Sequence, residues 1–372
     1  MRAAQGAAIV PDWLVVEGGA ERVVLEFADL LPTAAVHTTF FDAARFGSRI
    51  APERVRTWPL QRLFGPSHRY RSFLPLYPLY FSAMDLRRYE LVVSSSIAFP
   101  HAVRTAPSAT HVSYVYTPMR YAWDLDTYLD RSSFSLPTQI AGRLLRPALR
   151  RWDRATANRP NVVVAISKTV QERIRRLWGR DSEVLYPPVD VDEIAPSEQD
   201  DGYLLIAARM LAYRRIDLAV QAATRLGREL VLVGDGPERR RLEAMAGPTV
   251  RFTGRVDRPT LVDLIRGCHA YLVPGIEDFG IAPVEAMAAG KPVIALAAGG
   301  AAETVVNEET GVLFEEATAD ALSEAILASD GIAFDRAVIR ARAEEFSAAA
   351  FRDAWRALFE RLGIDPSLYS PR

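Results

Sequence analysis

Short apolar runs alternate with amphipathic stretches along almost the whole chain. Residues 91–94, 110–116 and 162–166 are short, largely apolar stretches that read as buried strands. Between them, residues 21–31 and 138–156 repeat apolar side chains at helical spacing. The second half repeats this more clearly: strands are predicted at 203–208, 229–234, 249–253, 270–274 and 292–296. Helices are predicted at 216–226, 239–245, 260–268 and 284–289. Strand and helix in alternation predict an α/β fold with parallel sheets and crossover helices.

The two halves meet at Tyr186-Pro187-Pro188-Val189-Asp190, where two prolines hold the chain extended before a polar run over 193–202. This places a domain boundary there. Residues 1–187 form one doubly wound domain and 188–345 a second, and a ligand cleft is expected between the carboxyl ends of their sheets. The tail, 346–372, carries one helix with Phe351, Trp355, Leu358 and Phe359 on a single face. No strand follows it, so it is expected to pack back across the domain already built.

Composition narrows the picture. The chain has 372 residues, 49% hydrophobic and 24% charged, which at roughly 150 residues per domain suits two packed cores. A formal charge of −1 exerts no global pull toward nucleic acid. Cys268 is the single cysteine, so no internal disulfide can form and a reducing, cytoplasmic setting is expected. Apart from Lys168 and Lys291, every lysine-or-arginine cation is an arginine. The apolar run at 7–11 is too short and poorly flanked for a signal peptide. Residues 73–84 come nearest to a membrane span but are interrupted by Pro75 and Pro78.

The richest stretch runs from Glu277-Asp278-Phe279-Gly280-Ile281 through Pro283 to Glu285 and on to Lys291-Pro292. It begins directly after a predicted strand, and Pro283 suits the first turn of the helix that follows. Amides from Phe279 to Ile281 at that helix start can bind an anion or a hydroxyl. Glu277 and Glu285 are acceptors suited to sugar or ribose hydroxyls. On spacing alone they are equally a solvated loop acid and an ordinary first-turn helix acid.

This segment resembles the E-x7-E signature of family 4 retaining glycosyltransferases, which have the GT-B fold. Gly18-Gly19-Ala20-Glu21-Arg22 is similar to the family's glycine loop after its first strand. Ala208-Arg209-Met210-Leu211-Ala212-Tyr213-Arg214-Arg215-Ile216-Asp217 is similar to its G-R-L-x-x-x-K-x-x-D stretch. Val233-Gly234-Asp235-Gly236-Pro237, Phe252-Thr253-Gly254-Arg255-Val256, Gly299-Gly300-Ala301-Ala302-Glu303-Thr304 and Thr310-Gly311-Val312-Leu313-Phe314 follow in the expected order. Trp13-Leu14, Thr117-Pro118-Met119-Arg120-Tyr121-Ala122-Trp123-Asp124 and the Pro-Pro-Val-Asp linker are most similar to the mannosyltransferase branch that builds bacterial surface polysaccharides.

The resemblance implies two Rossmann-like domains, an acceptor domain and a donor domain. It implies transfer of a hexose, best mannose from GDP-mannose, to a glycan or lipid-linked hydroxyl with retention. The donor is then a co-substrate, and neither a cofactor nor a metal is expected. Arg209 and Arg214 would clasp the diphosphate, where fixed cations stabilise the departing charge. Arg215 reads more simply as a surface arginine. Gly18, Gly19 and Gly234 would let backbone approach the donor, the backbone at Arg255 and Val256 would hold the base, Glu285 the ribose, and Glu277 the transferred sugar.

The chain departs from the pattern in two places. Arg214 stands where the family usually has lysine, and Tyr116 stands where the branch has a histidine. A tyrosine can hydrogen bond a hydroxyl but is a poor base at neutral pH. Tyr116 is counted among the catalytic candidates, His101 and His111 nearby in sequence are candidates to face the cleft, and His101, Arg120, Trp123 and Asp124 are candidates on the acceptor side. Asp124-Leu125-Asp126 resembles a metal-binding D-x-D triplet, but no Cys/His cluster has ligand spacing. Arg69, Arg71 and Tyr70 beside Phe73 and Leu74, with Arg143, Arg146, Arg150, Arg151 and Arg154 among leucines, suit peripheral contact with an anionic inner membrane face. They equally suit core helices with arginine stems outside. Three rivals are a UDP-sugar transferase, a catalytically silent nucleotide-sugar-binding scaffold and a nicotinamide dehydrogenase. No G-x-G-x-x-G lies between a strand and a helix, which counts against the last.

Overall fold

A computed structural model describes residues 6–65, 70–124 and 136–369. Arg69, Leu125 and Asp126 lie outside them. The chain divides into two compact units, one running to Pro188 and resuming at Phe351, the other running from Val189 to Ala350.

In the first unit, β1 (Ala7–Pro11), β2 (Ala35–Thr38), β3 (Val55–Thr57), β4 (Leu91–Ser96), β5 (Thr110–Val115), β6 (Val162–Ala165) and β7 (Glu183–Val184) form one sheet. Its order is β3-β2-β1-β4-β5-β6-β7, and every pairing is parallel. The short apolar run at 7–11 is thus β1, a wholly buried strand between β2 and β4. Continuous apolar sequence is what a strand covered on both faces needs. The edge strands β3 and β7 are short and partly exposed, with polar residues such as Arg56 and Glu183.

Residues 73–84 break at their prolines into a tight turn, Tyr70–Leu76, and the helix Tyr77–Ala83. Their rings join Phe40, Trp58 and Phe99 in an aromatic core. The tail helix Ala348–Arg361 begins two residues later than its apolar stripe suggests, because the Ser347 hydroxyl accepts from Ala350 N and ends the preceding turn. It rejoins the first unit: Trp355 packs edge-on to Phe27 and Tyr114, and Arg352 pairs with Glu26.

The second unit is a six-stranded parallel sheet in the order β10-β9-β8-β11-β12-β13. The strands are β8 (Leu204–Ala207), β9 (Leu230–Val233), β10 (Val250–Gly254), β11 (Ala270–Val273), β12 (Val293–Leu296) and β13 (Gly311–Phe314). Leu204, Ile206, Leu230, Leu232, Leu272 and Ile294 meet Leu218, Leu322 and Ile326 from the helices in one core. The expected pair of parallel sheets is therefore present. The helix Arg258–Gly267 starts two residues early, since Asp257 caps it by accepting from Thr260 N at 3.0 Å and Pro259 sits in its first turn.

Candidate functional site

At the carboxyl edge of the second sheet, β8 and β11 lie side by side, so the loops leaving them converge. After β8 the chain passes the exposed Arg209, makes a tight turn at Ala212–Arg214 and enters the helix Ile216–Leu226. After β11 it passes Pro274 and Gly275 to Glu277, then enters the helix Ile281–Ala288 with Pro283 in its first turn. The two loops are joined by an ion pair between Arg214 Nη1 and Glu277 Oε1. Both side chains are largely sheltered, 23% and 19% exposed. Desolvation pulls the Arg214 pKa down, but the Glu277 carboxylate outweighs it and the net shift is upward. Arg214 therefore stays a fixed cation.

Backbone packing sets this geometry. The Tyr271 hydroxyl donates to Ala207 O and lies 3.0 Å from Ala207 N, pinning the end of β8. Gly300 N donates to Glu277 O at 2.8 Å, and a Cβ on Gly300 would lie 2.2 Å from Phe279 Cα, so only glycine fits. Gly234 has φ +120° and its Cβ position is 2.1 Å from Ala208 O. Arg214, Tyr271, Gly275 and Glu277 line a cavity of about 10 Å³, room for one water.

The other donor-side candidates separate by role. Arg209 carries no recorded ion pair among the described residues and is free to meet an anion. Arg215 pairs with Asp217 at 3.3 Å on the surface. Phe279 points its ring into the core against Phe346, so only its backbone can face the loop. Asp278 and Ile281 are half-buried and Gly280 takes φ +94° before the helix. Arg255 is exposed and Val256 half-buried after β10. Glu285 is buried and bonded to Arg258, a residue that nothing in the sequence distinguished from the surrounding arginines.

In the first unit, Gly18 caps the helix Gly19–Leu30, and Glu21 lies in its first turn. Three expectations there need correction. Tyr116 donates its hydroxyl to Ala20 O at 3.1 Å and shares a bond with Ser95 Oγ; burial raises its pKa well above the ordinary value, so it cannot act as a base. His101 is buried, with Nδ1 against Ser96 Oγ and Nε2 against Thr156 Oγ1, and desolvation lowers its pKa to about 3. It therefore cannot meet an acceptor. His111 is likewise buried against Ser94 Oγ, with its pKa lowered to about 3 by desolvation. Trp123 is held structurally, donating to Asp153 Oδ2 at 2.6 Å beneath the Arg150 and Arg154 guanidinium groups. Arg120 is half-buried, and Asp124 is exposed.

Two buried acids escaped the sequence reading. Asp12, just after β1, accepts from Ile97 N at 2.7 Å and Phe99 N at 3.1 Å, and burial pushes its pKa up to about 7. Burial likewise raises Glu21 to about 7. An apolar strand ending in a carboxylate was the available signal for Asp12.

The sign of the resulting pH effect follows. Glu21 holds its proton more tightly folded than unfolded, so its contribution is fully present below about 4.5 and is lost as pH rises through 7. Glu21→Gln, which stays neutral, is therefore expected to be more stable than wild type at pH 8 by roughly 1–3 kcal/mol. The gap should shrink to about 1 kcal/mol or less at pH 5. Thermal melts at both pH values check this, and a gap unchanged with pH would refute it.

Comparison with known proteins follows the same division. A model described as Glycosyltransferase Family 4 matches residues 17–193, and one described as Glycosyl transferases group 1 matches 190–329. The chain is 32% identical over 207 residues to a D-inositol 3-phosphate glycosyltransferase of Xylanimonas cellulosilytica, covering 46% of this chain and 49% of that protein. It is 31% identical over 192 residues to a GDP-mannose-dependent alpha-mannosyltransferase of Mycolicibacterium smegmatis, covering 51% and 44%. The chain thus spans about half the length of the curated relatives it matches. Among solved structures, Anabaena HepE in complex with UDP superposes with a TM-score of 0.69 at 18% identity, over 96% of this chain and all of that one. That likeness establishes the GT-B fold.

Proposed function

The chain belongs to glycosyltransferase family 4, with the GT-B fold, and from that premise we propose that it moves a hexose from a nucleoside diphosphate to a hydroxyl with retention of configuration. The observation that carries this is the Arg214–Glu277 ion pair joining adjacent loops at the carboxyl edge of the second sheet, with exposed Arg209 earlier on the loop that carries Arg214. Breaking the glycosyl–phosphate bond leaves negative charge on the departing diphosphate. Arg209 and Arg214 would stabilise that charge, as electrostatic groups set in advance do. The acceptor hydroxyl forms the new bond at the anomeric carbon on the face the phosphate leaves, and its proton passes to a departing phosphate oxygen. No side-chain base is then required, which suits the loss of Tyr116, His101 and His111 as candidates. Glu277 would hold hydroxyls of the transferred sugar.

GDP-mannose is the favoured donor, because two similar proteins of Mycolicibacterium smegmatis are GDP-mannose-dependent by name. A UDP-sugar is the second reading, favoured by the UDP in the HepE complex. A thermal-shift titration with GDP, UDP, ADP and NAD, with and without magnesium, separates the readings, since a ligand that binds only the folded state raises its melting point. A shift selective for GDP without magnesium supports the reading. A UDP shift promotes the alternative donor, and no shift with any diphosphate refutes the donor site.

The acceptor would be a glycan or a lipid-linked hydroxyl, met at the inner face of the membrane. No helix among the described residues is long and apolar enough to cross a bilayer. The first unit does expose Leu63, Leu79 and Leu144, each more than 70%, and the helix that carries Leu144 also exposes Arg143, Arg151 and Arg154. Apolar residues with cations suit an anionic lipid surface. Cosedimentation with vesicles one-third anionic phospholipid is expected, weakened about tenfold by Leu79→Glu with Leu144→Glu. Equal pelleting of the variant would remove this surface from the proposal.

A further inference from the structure

Glu285 is one of the most sheltered carboxylates of the second unit, its side chain 6% exposed on the helix Ile281–Ala288. A carboxylate in that environment keeps its charge only with a partner, because desolvation otherwise favours the neutral acid. One such partner is Arg258, whose Nη1 donates to Glu285 Oε1 at 2.7 Å. Arg258 opens the helix Arg258–Gly267, immediately after the Asp257 cap and before Pro259. Its Nε and Nη2 reach Glu193 Oε2 at 3.4 and 3.3 Å. Glu193 is 58% exposed, so that contact is weak, and Glu285 is the close and sheltered partner.

The placement of this pair gives it a use. Arg258 stands two residues after Val256, on the segment leaving β10 that would carry the base. Glu285 is the carboxylate that would take the ribose. The guanidinium fork, fixed at its root by a capped helix start with proline next to it, presents one orientation of donors. We propose that Arg258 is a positioning residue of the nucleotide site. It fixes the charge and the direction of the Glu285 carboxylate, so that discrimination for the ribose 2′-hydroxyl belongs to the pair and not to Glu285 alone. This rests on the donor-site reading above.

The test measures the affinities of GDP, 2′-deoxy-GDP, UDP and 2′-deoxy-UDP by calorimetry for wild type, Arg258→Ala, Arg258→Lys and Glu285→Gln. Wild type is expected to prefer the ribonucleotide of its base by about tenfold, the scale of one hydrogen bond to a charged group. Arg258→Ala should weaken the ribonucleotide about tenfold, leave the deoxynucleotide within about threefold, and bring the ratio near one. Arg258→Lys should restore part of the preference, since it returns the charge without the fork. A purely structural role would weaken both nucleotides equally and keep the ratio, which overturns the inference, as does a wild type without ribose preference.

Should Arg258→Ala fail to fold because a buried carboxylate is left unpaired, Arg258→Ala with Glu285→Gln removes that charge. The double variant should match Glu285→Gln alone in its ratio, because the two residues act as one unit. A ratio lower than that of Glu285→Gln would show Arg258 acting independently and overturn the pairing. A wild type that binds neither GDP nor UDP refutes the donor site itself, a result distinct from a bound nucleotide whose ratio ignores Arg258.

Discussion

Replacing Glu277 by glutamine is expected to lower sugar transfer about a hundredfold or more, with the nucleoside diphosphate affinity held within about threefold. Glutamine keeps the size and one acceptor of the side chain but loses the charge. The carboxylate is held by Arg214, and Gly300 N fixes its backbone through Glu277 O, so the group is oriented before any ligand arrives. A group placed in advance at developing charge or at a reacting sugar has effects of about 10²- to 10³-fold. The diphosphate is to be held by other groups, which is why its affinity should survive. Both variants remove the counter-ion of Arg214, but glutamine still offers the guanidinium an acceptor. Glu277→Ala removes that as well and leaves the sheltered Arg214 without this partner, at a cost of about 1–3 kcal/mol in stability. A transfer assay beside a melting curve separates the two effects. Full activity in the glutamine variant would remove Glu277 from the reaction.

Arg209→Ala is expected to weaken the diphosphate about 10- to 100-fold without a measurable change in melting temperature. The contrast with Arg214 is built into the structure. Arg209 is exposed and carries no recorded ion pair among the described residues, so its removal breaks nothing in the folded protein. Charge-assisted hydrogen bonds to a diphosphate are each of the order of 1.5–3 kcal/mol, which sets the expected loss. The weakening should shrink as salt rises, because an exposed cation is screened. Calorimetry with the donor diphosphate at two salt concentrations measures both quantities. Unchanged affinity at low salt would place the phosphates elsewhere.

The sheets were legible mainly where strands covered on both faces read as apolar runs, as at β6, β9 and β11. β4 and β5 carry serines and a histidine yet were still readable, whereas the apolar run of β1 was read only as too short for a signal peptide. The edge strands β3 and β7, and β2 beside β3, were not legible. They are short, and residues such as His37, Arg56 and Glu183 interrupt the apolar pattern. Helix starts moved wherever a side-chain cap outweighed the apolar stripe, as at Asp257 and Ser347.

At the candidate site, strand ends followed by Arg209, Arg214 and Glu277 were readable one loop at a time. The ion pair between Arg214 and Glu277 joins residues 63 apart in the chain, and only the adjacency of β8 and β11 brings them together. Burial was the quantity the sequence could not supply. Without it, His101 and Tyr116 looked available to a substrate, whereas both spend their polar atoms inside the first unit. Arg258 was hidden for a different reason. In a chain whose cations are almost all arginine, one guanidinium beside a buried carboxylate looks like any other until the fold pairs them.

The most direct test is to follow the anomeric signals by proton NMR while the protein turns over GDP-α-mannose, and in parallel UDP-α-glucose, with water or an added hydroxyl acceptor. A retaining glycosyltransferase releases the nucleoside diphosphate and gives an α-configured product first, before any free sugar mutarotates. That result, abolished in Glu277→Gln, is the one predicted. A β-configured first product would contradict retention. A protein that binds the diphosphate yet leaves both donors intact would contradict transfer itself.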